Sequence, residues 1–207
     1  MSRVTVKDKW KLKKWYTVVA PPLFGNTVIG TTPADKDWKL LGRVFEVTLF
    51  DITGDFSQVH IHLYFQVHEI KSDTAHTRFK GHELARDYMK SIIRRKSSKV
   101  AAIVDVTTKD GYGLRVTAIA LTAYRCKTSQ KSLIRKIMTR LLLNKAKELT
   151  FDEFVKAMIF GSLANEIMME AKKVYPIRKA EIYKSKLLTV PTPEGSKTAA
   201  VVAQKTF

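Results

Sequence analysis

From Gln58 to Ile70 apolar and polar residues alternate, with Val59, Ile61, Leu63, Phe65 and Val67 on one side and His60, His62, Tyr64, Gln66 and His68 on the other. Successive side chains of an extended chain point to opposite faces of a sheet, so this stretch reads as a strand with one face buried. Such a strand needs partners, and the sequence offers several. Segments near 26 to 32 and 40 to 50 carry Val, Ile, Thr and Phe between turn formers, and a short strand is expected near Thr77 to Lys80, ahead of Gly81. Lys99 to Thr108 and Tyr112 to Tyr124 are β-branched runs joined by Lys109-Asp110-Gly111, where glycine supplies the positive φ of a tight hairpin.

Elsewhere the period changes. Glu83 to Arg95 has helical spacing in Leu84, Tyr88, Ser91 and Ile92 and ends on Arg94, Arg95 and Lys96. From Ser129 to about Leu149 an apolar stripe of Ile134, Ile137, Met138, Leu141 and Leu142 marks a helix. Thr150 with Glu153 matches a capping box opening a helix that Gly161 ends, and Ser162 starts another that stops before Tyr175-Pro176. These patterns predict an α+β protein: a mainly antiparallel sheet, curled or closed into a β-barrel, with the C-terminal helices packed beside it. One domain is expected over 16–188, β-rich over 16–128, helical over 129–174, with a final strand or arm over 175–188. A basic extended arm over 1–15 precedes it, and a tail over 189–207, without periodicity, is expected to be disordered when unbound.

Charge bears on partners rather than on fold. Lys and Arg number 37 against 19 Asp and Glu, a net charge of +18, which suits a polyanion and nucleic acid above all. The excess is gathered: segments 1–15, 78–99, 125–147 and 172–186 hold 28 of the basic residues and 4 of the acidic ones, so they carry +24 while the rest carries −6. Particular surfaces are thereby set aside for phosphate. The helix from Ser129 to Leu149 is the most informative, because it bears Lys131, Arg135, Lys136 and Arg140 and has no acid before Glu148. Unrelieved positive charge along one helix repels itself unless a polyanion neutralises it. In the N-terminal arm Lys7, Lys9, Lys11, Lys13 and Lys14 are interleaved with Trp10, Trp15 and Tyr16. Lysine reaches phosphates there and indole rings can stack on unpaired bases, although Trp15 and Tyr16 are expected to be structural.

Other chemistries find little footing. Cys126 is the single cysteine, which excludes an internal disulfide and suits a reducing, cytoplasmic setting. No secretory signal is expected, no Gly-rich phosphate loop is present, and no nucleophile and base can be paired. His60 and His62 lack a Cys or carboxylate at a matching short spacing, so they are read as polar-face side chains without a metal. Glu46, Asp51, Asp55 and Asp105 are read as turn or solvent-face residues rather than a metal-dependent catalytic set. No cofactor is expected.

Several short motifs occur in one order: Lys14-Trp15-Tyr16, Ala20-Pro21, Phe24, Ile29-Gly30-Thr31-Thr32, Gly42-Arg43-Val44-Phe45-Glu46-Val47 with Leu49 and Asp51, Phe79-x-Gly81, and Arg86-Asp87. Val104-Asp105-Val106, Asp110-Gly111-Tyr112, Leu114-Arg115, Ile134-Arg135-Lys136-Ile137-Met138 and Tyr175-Pro176-Ile177 follow. Over residues 7 to 188 the chain resembles the ribosomal protein S-three-Ae family, also called eS-one. The resemblance implies a non-catalytic component of the small ribosomal subunit, on the platform near the messenger exit and the 3′ end of the RNA. Its implied partners are ribosomal RNA, neighbouring ribosomal proteins and messenger RNA near the exit, with no membrane. A short C-terminal tail and few residues between Gly30 and Leu40 match the shorter archaeal form. Among the matching residues Arg43, Arg86, Arg115, Arg135 and Lys136 are candidates for RNA contact, with Arg43 and Arg115 alternatively pairing with Glu46 or Asp105. Arg94, Arg95, Lys96, Arg125, Lys127, Lys131 and Arg140 join them from the basic segments. The rival readings are a metal-dependent RNA-processing enzyme and a free single-stranded RNA-binding module.

Overall fold

The computed structural model describes residues 10, 11, 13–192 and 195–199. Strand β1 (Lys14–Val19) pairs with β2 (Val28–Ala34), and β3 (Val44–Thr48) runs into a short helix, α1 (Leu49–Thr53). The alternating stretch becomes β4 (Ile61–Lys71), which lies between β3 and β5 (Thr74–Leu84). After α2 (Arg86–Ile92) come the hairpin strands β6 (Lys99–Thr107) and β7 (Gly113–Thr122). Helices α3 (Thr128–Glu148), α4 (Phe151–Ile159) and α5 (Ser162–Lys172) precede the long strand β8 (Ile177–Thr192) and its return, β9 (Gly195–Thr198).

The sheet is mixed and open, which corrects the expectation of a curled sheet or β-barrel. Its main path runs β2-β1-β5-β8-β7-β6, with β3 and β4 branching from β5 and β9 from β8. Among the described residues β2, β3, β6 and β9 each pair with one neighbour, so every branch ends in a free edge and nothing closes. The cause lies in β5. One edge of it takes β4, and the other is divided between β1, parallel through Thr74–His76, and β8, antiparallel through Gly81–Glu83. A strand that shares an edge in this way splits a sheet into branches instead of rolling it up. At the second contact the backbones nearly touch: a Cβ on Gly81 would stand 2.3 Å from the Ser185 carbonyl oxygen, so only glycine fits.

Strand β5 also took residues that the helical spacing assigned to the next helix. Leu84 pairs with Ile61 and is buried at the end of the β4–β5 ladder, so 83 and 84 stay extended and α2 begins at Arg86. The alternation in β4 holds through Phe65, but Gln66 is buried as well. Register shifts flank it, and its amide donates to the Gly42 carbonyl (3.1 Å) while its oxygen accepts from Arg78 (3.2 Å). A polar group can be buried at such a bulge because it is paired there. Where the sequence reading ends the folded domain at 188, β8 continues to Thr192 and pairs with β9 through Thr189–Thr192.

One large core holds the sheet against the helices. Val100, Ala102, Val104 and Val106 of β6 face Ile134, Met138 and Leu142 of α3, and Phe154, Ile167 and Ala171 bring in α4 and α5. Burying each large aliphatic side chain contributes about 1.5–3 kcal/mol, so the α3 stripe anchors the helix firmly and leaves its other face to solvent. Two smaller clusters, Tyr16 with Ala34 and Leu40, and Val18 with Val67 and Ala75, fix β1 and β2.

Candidate nucleic-acid interface

Helix α3 opens with the Gln130 side chain accepting from the Lys127 N–H (2.9 Å). Its buried residues are Ile134, Met138, Leu142 and Ala146, one per turn. Ser132, Arg135, Lys136, Thr139, Arg140, Leu143, Asn144 and Lys147 recur at three- and four-residue intervals on the opposite side and line a shallow groove of about 560 Å³. At 1.5 Å per residue that face runs for about 22 Å. Leu143 and Lys147 also line a second cavity of about 460 Å³, shared with Asp105, Thr107, Thr108 and Lys109. The groove therefore continues from α3 onto the hairpin turn.

The turn is locked in place. Gly111 adopts φ 82°, Asp110 accepts from the Phe151 N–H (2.9 Å), and Tyr112 stacks on Phe151 with ring centroids 4.4 Å apart. Phe151 opens α4, whose start carries the expected capping box: the Thr150 N–H and hydroxyl donate to Glu153 at 3.0 and 2.8 Å. These hydrogen bonds hold the Glu153 carboxyl below its ordinary range. The hairpin and the α3–α4 corner thus fix each other, and Lys109 is held beside Lys147.

The expected RNA-contacting residues divide into free and committed cations. Lys136 and Arg140 have no carboxylate within ion-pair distance among the described residues, nor do Lys131, Arg125 and Lys127, and the same holds for Lys147, a cation outside the expected set. Arg94, Arg95 and Lys96 are exposed on the turn after α2, where the Ser97 hydroxyl donates to the Arg94 carbonyl (2.6 Å) and Lys96 takes φ 62°. Arg86 is exposed and lines a polar pocket with Glu46, His62 and Glu83. Arg135 spends its Nε on the Ala101 carbonyl of edge strand β6 (3.0 Å). Arg115 is bidentate to Asp105, both bonds 2.7 Å, and Arg43 holds Thr32 (2.5 Å) and the Pro33 carbonyl. Lys11 and Lys14 are exposed, Lys13 sits 4.2 Å over the Trp10 ring, and Lys7 and Lys9 lie outside the described residues. Lys109 and Lys147 escaped the sequence reading of the site. Lys147 continues the spacing of Lys136 and Arg140, a signal in plain view, whereas Lys109 joins only through the fold.

Tyr16 is buried as expected, with its hydroxyl donating to Asp37, but Trp15 is not a core residue. Trp15 is 60% exposed and Trp10 59%, and the two rings meet edge to face. The other residues with chemical potential are occupied. His60 stacks on Tyr88, His62 lies 3.0 Å from Glu46, Asp51 and Asp55 accept hydrogen bonds in their own turns, and Cys126 is buried. Among the described residues no three His, Cys, Asp or Glu side chains are grouped to hold a metal, and no helix is long and apolar enough to cross a membrane.

The profile of the Ribosomal S3Ae family matches residues 2–191, nearly the whole chain. The chain belongs to the Ribosomal S3Ae family. Among its relatives, the small ribosomal subunit protein eS1 of Staphylothermus marinus is 62% identical over 97% of this chain and 95% of its own length. The eS1 of Aeropyrum pernix is 61% identical over 98% and 97%, and that of Desulfurococcus amylolyticus 59% over 97% and 94%. The S3Ae match spans β1 to β8, so the basic face of α3 and the hairpin beside it both lie within the family region.

Proposed function

We propose that this chain is a structural, non-catalytic component of the small ribosomal subunit that binds small-subunit ribosomal RNA and neighbouring ribosomal proteins. The observation that carries the reading is the uncompensated basic face of α3, continued by Lys109 and set on a fully packed stripe. Membership of the S3Ae family and relatives named for the small subunit support it. The finer placement on the platform near the messenger exit belongs to the same proposal. Lys136, Arg140, Lys147 and Lys109 bind phosphates and release their counterions, so affinity falls steeply with salt. Lys11, Lys13 and Lys14 add further cations, and the exposed Trp10 and Trp15 stack on unpaired bases. Selectivity arises from the shape of folded RNA rather than from base reading.

Sedimentation of cell extract through sucrose at low and moderate salt tests this. The chain is expected to travel with small subunits at both, while Lys136→Glu with Arg140→Glu is released at the higher salt. A chain that sediments only as free protein at both salts overturns the reading. In purified form, tighter binding to unstructured RNA than to folded small-subunit RNA would favour a single-strand binding module instead.

A further inference from the structure

Between Arg43 and Lys71 the chain has no lysine or arginine, while Glu46, Asp51, Asp55 and Glu69 fall within the interval. In a chain of net charge +18 this stretch is bare of the groups that hold phosphate. Midway along it, α1 and a 3-10 turn at Phe56–Gln58 make a corner that presents aromatic surface to solvent. Phe56 is 79% exposed, and the partly exposed Phe50 meets it edge to face with centroids 6.0 Å apart.

The corner is held rigidly. The Thr48 N–H and hydroxyl donate to Asp51 at 3.0 and 2.7 Å, and Gly54 closes α1 at φ 75°. The Ser57 N–H and hydroxyl donate to Asp55 at 3.0 and 2.7 Å, and these bonds hold the Asp55 carboxyl below its ordinary range with no cation contributing. A phenylalanine ring fixed in water costs solvation in the free protein. It also loses little conformational freedom when a partner covers it, which is the character of an interface anchor.

We propose that this corner docks a cationic segment of a neighbouring protein, which offers an apolar pocket to Phe56 and lysine or arginine to Asp51 and Asp55. Charge complementarity selects that occupant. Phosphate is repelled by the two carboxylates, and the aromatic pair with its acidic rim is what a basic, partly apolar polypeptide would cover. The particle used for the test rests on the ribosomal reading above, so comigration with small subunits is scored first and separately.

The test places p-benzoylphenylalanine at position 56, purifies small subunits and irradiates them. The expected adduct joins this chain to a peptide of another subunit protein in which Lys and Arg outnumber Asp and Glu. Its yield should fall several-fold when Asp51→Asn and Asp55→Asn remove the charge and keep hydrogen-bond acceptors. An adduct with RNA, with a second copy of this chain or with an acidic peptide overturns the proposal, and so does no adduct in particles that contain the chain. Phe56→Ser is expected to leave Tm unchanged and to lower retention in small subunits after a salt wash, and full retention likewise overturns it. Loss of comigration by the unsubstituted chain counts against the ribosomal reading instead.

Discussion

His82 was one polar residue among many in the sequence, and nothing in the spacing set it apart; the fold makes it the most confined titratable group described. It lies on β5 beside the close approach at Gly81 and is buried against β8. The Ile182 carbonyl can only accept, so Nε2 donates to it (3.2 Å), and Nδ1 accepts a hydrogen bond from the Ser185 hydroxyl (2.6 Å). The neutral ring is thus satisfied, and burial pushes its pKa from 6.5 down to about 4. A depressed histidine binds its proton more readily in the unfolded chain. Its contribution is therefore complete above pH 6.5 and is lost as pH falls from 6.5 towards 4. His60, also lowered by burial, acts in the same direction. Stability measured in urea should drop by about 2 kcal/mol between pH 7.5 and pH 5, and His82→Gln should flatten that slope. Gly81→Ala should force β5 from β8 and cost about 1–3 kcal/mol, read as a fall in Tm with the far-UV spectrum retained. Neither constraint was legible before folding, because the partner strand lies about a hundred residues away in the chain.

At the level of elements, what could be read was what depends on neighbours in sequence. The α3 stripe, the hairpin around Gly111 and the Thr150–Glu153 cap are local patterns, and each formed as its residues dictate. Thr150→Ala should cost about 1 kcal/mol in thermal denaturation by orphaning the first turn of α4. What escaped was set by pairing at a distance. The fate of β5 was decided by β4, which holds Leu84 opposite Ile61 and shortens the following helix from its start. The candidate site shows the same division. The spacing of Lys136 and Arg140 was visible, and so was Asp105 as an alternative partner for Arg115, but nothing local could reveal that Arg135 turns to the edge of β6.

The whole molecule explains why a barrel was expected and an open sheet formed: the number of strands was nearly readable, but their order was not, and β5 sharing one edge between β1 and β8 decides the branching. The exposed cations sit on more than one element. The face of α3 is one basic surface, and the Arg94–Lys96 turn after α2 is another. If each meets its own stretch of RNA backbone, their effects on counterion release should add. Lys136→Ala with Arg140→Ala is expected to reduce the slope of log affinity against log salt by about 2, and Arg94→Ala with Arg95→Ala by about the same. All four together should then lower it by about 4. Arg115→Ala serves as the internal control: its guanidinium is already neutralised by Asp105, so the slope should not change. Filter binding to small-subunit RNA over a range of salt concentrations measures all of these. Should the fourfold variant lose no more slope than either pair alone, the two surfaces must contact the same phosphates, and the picture of distinct basic faces on an open sheet would have to be abandoned.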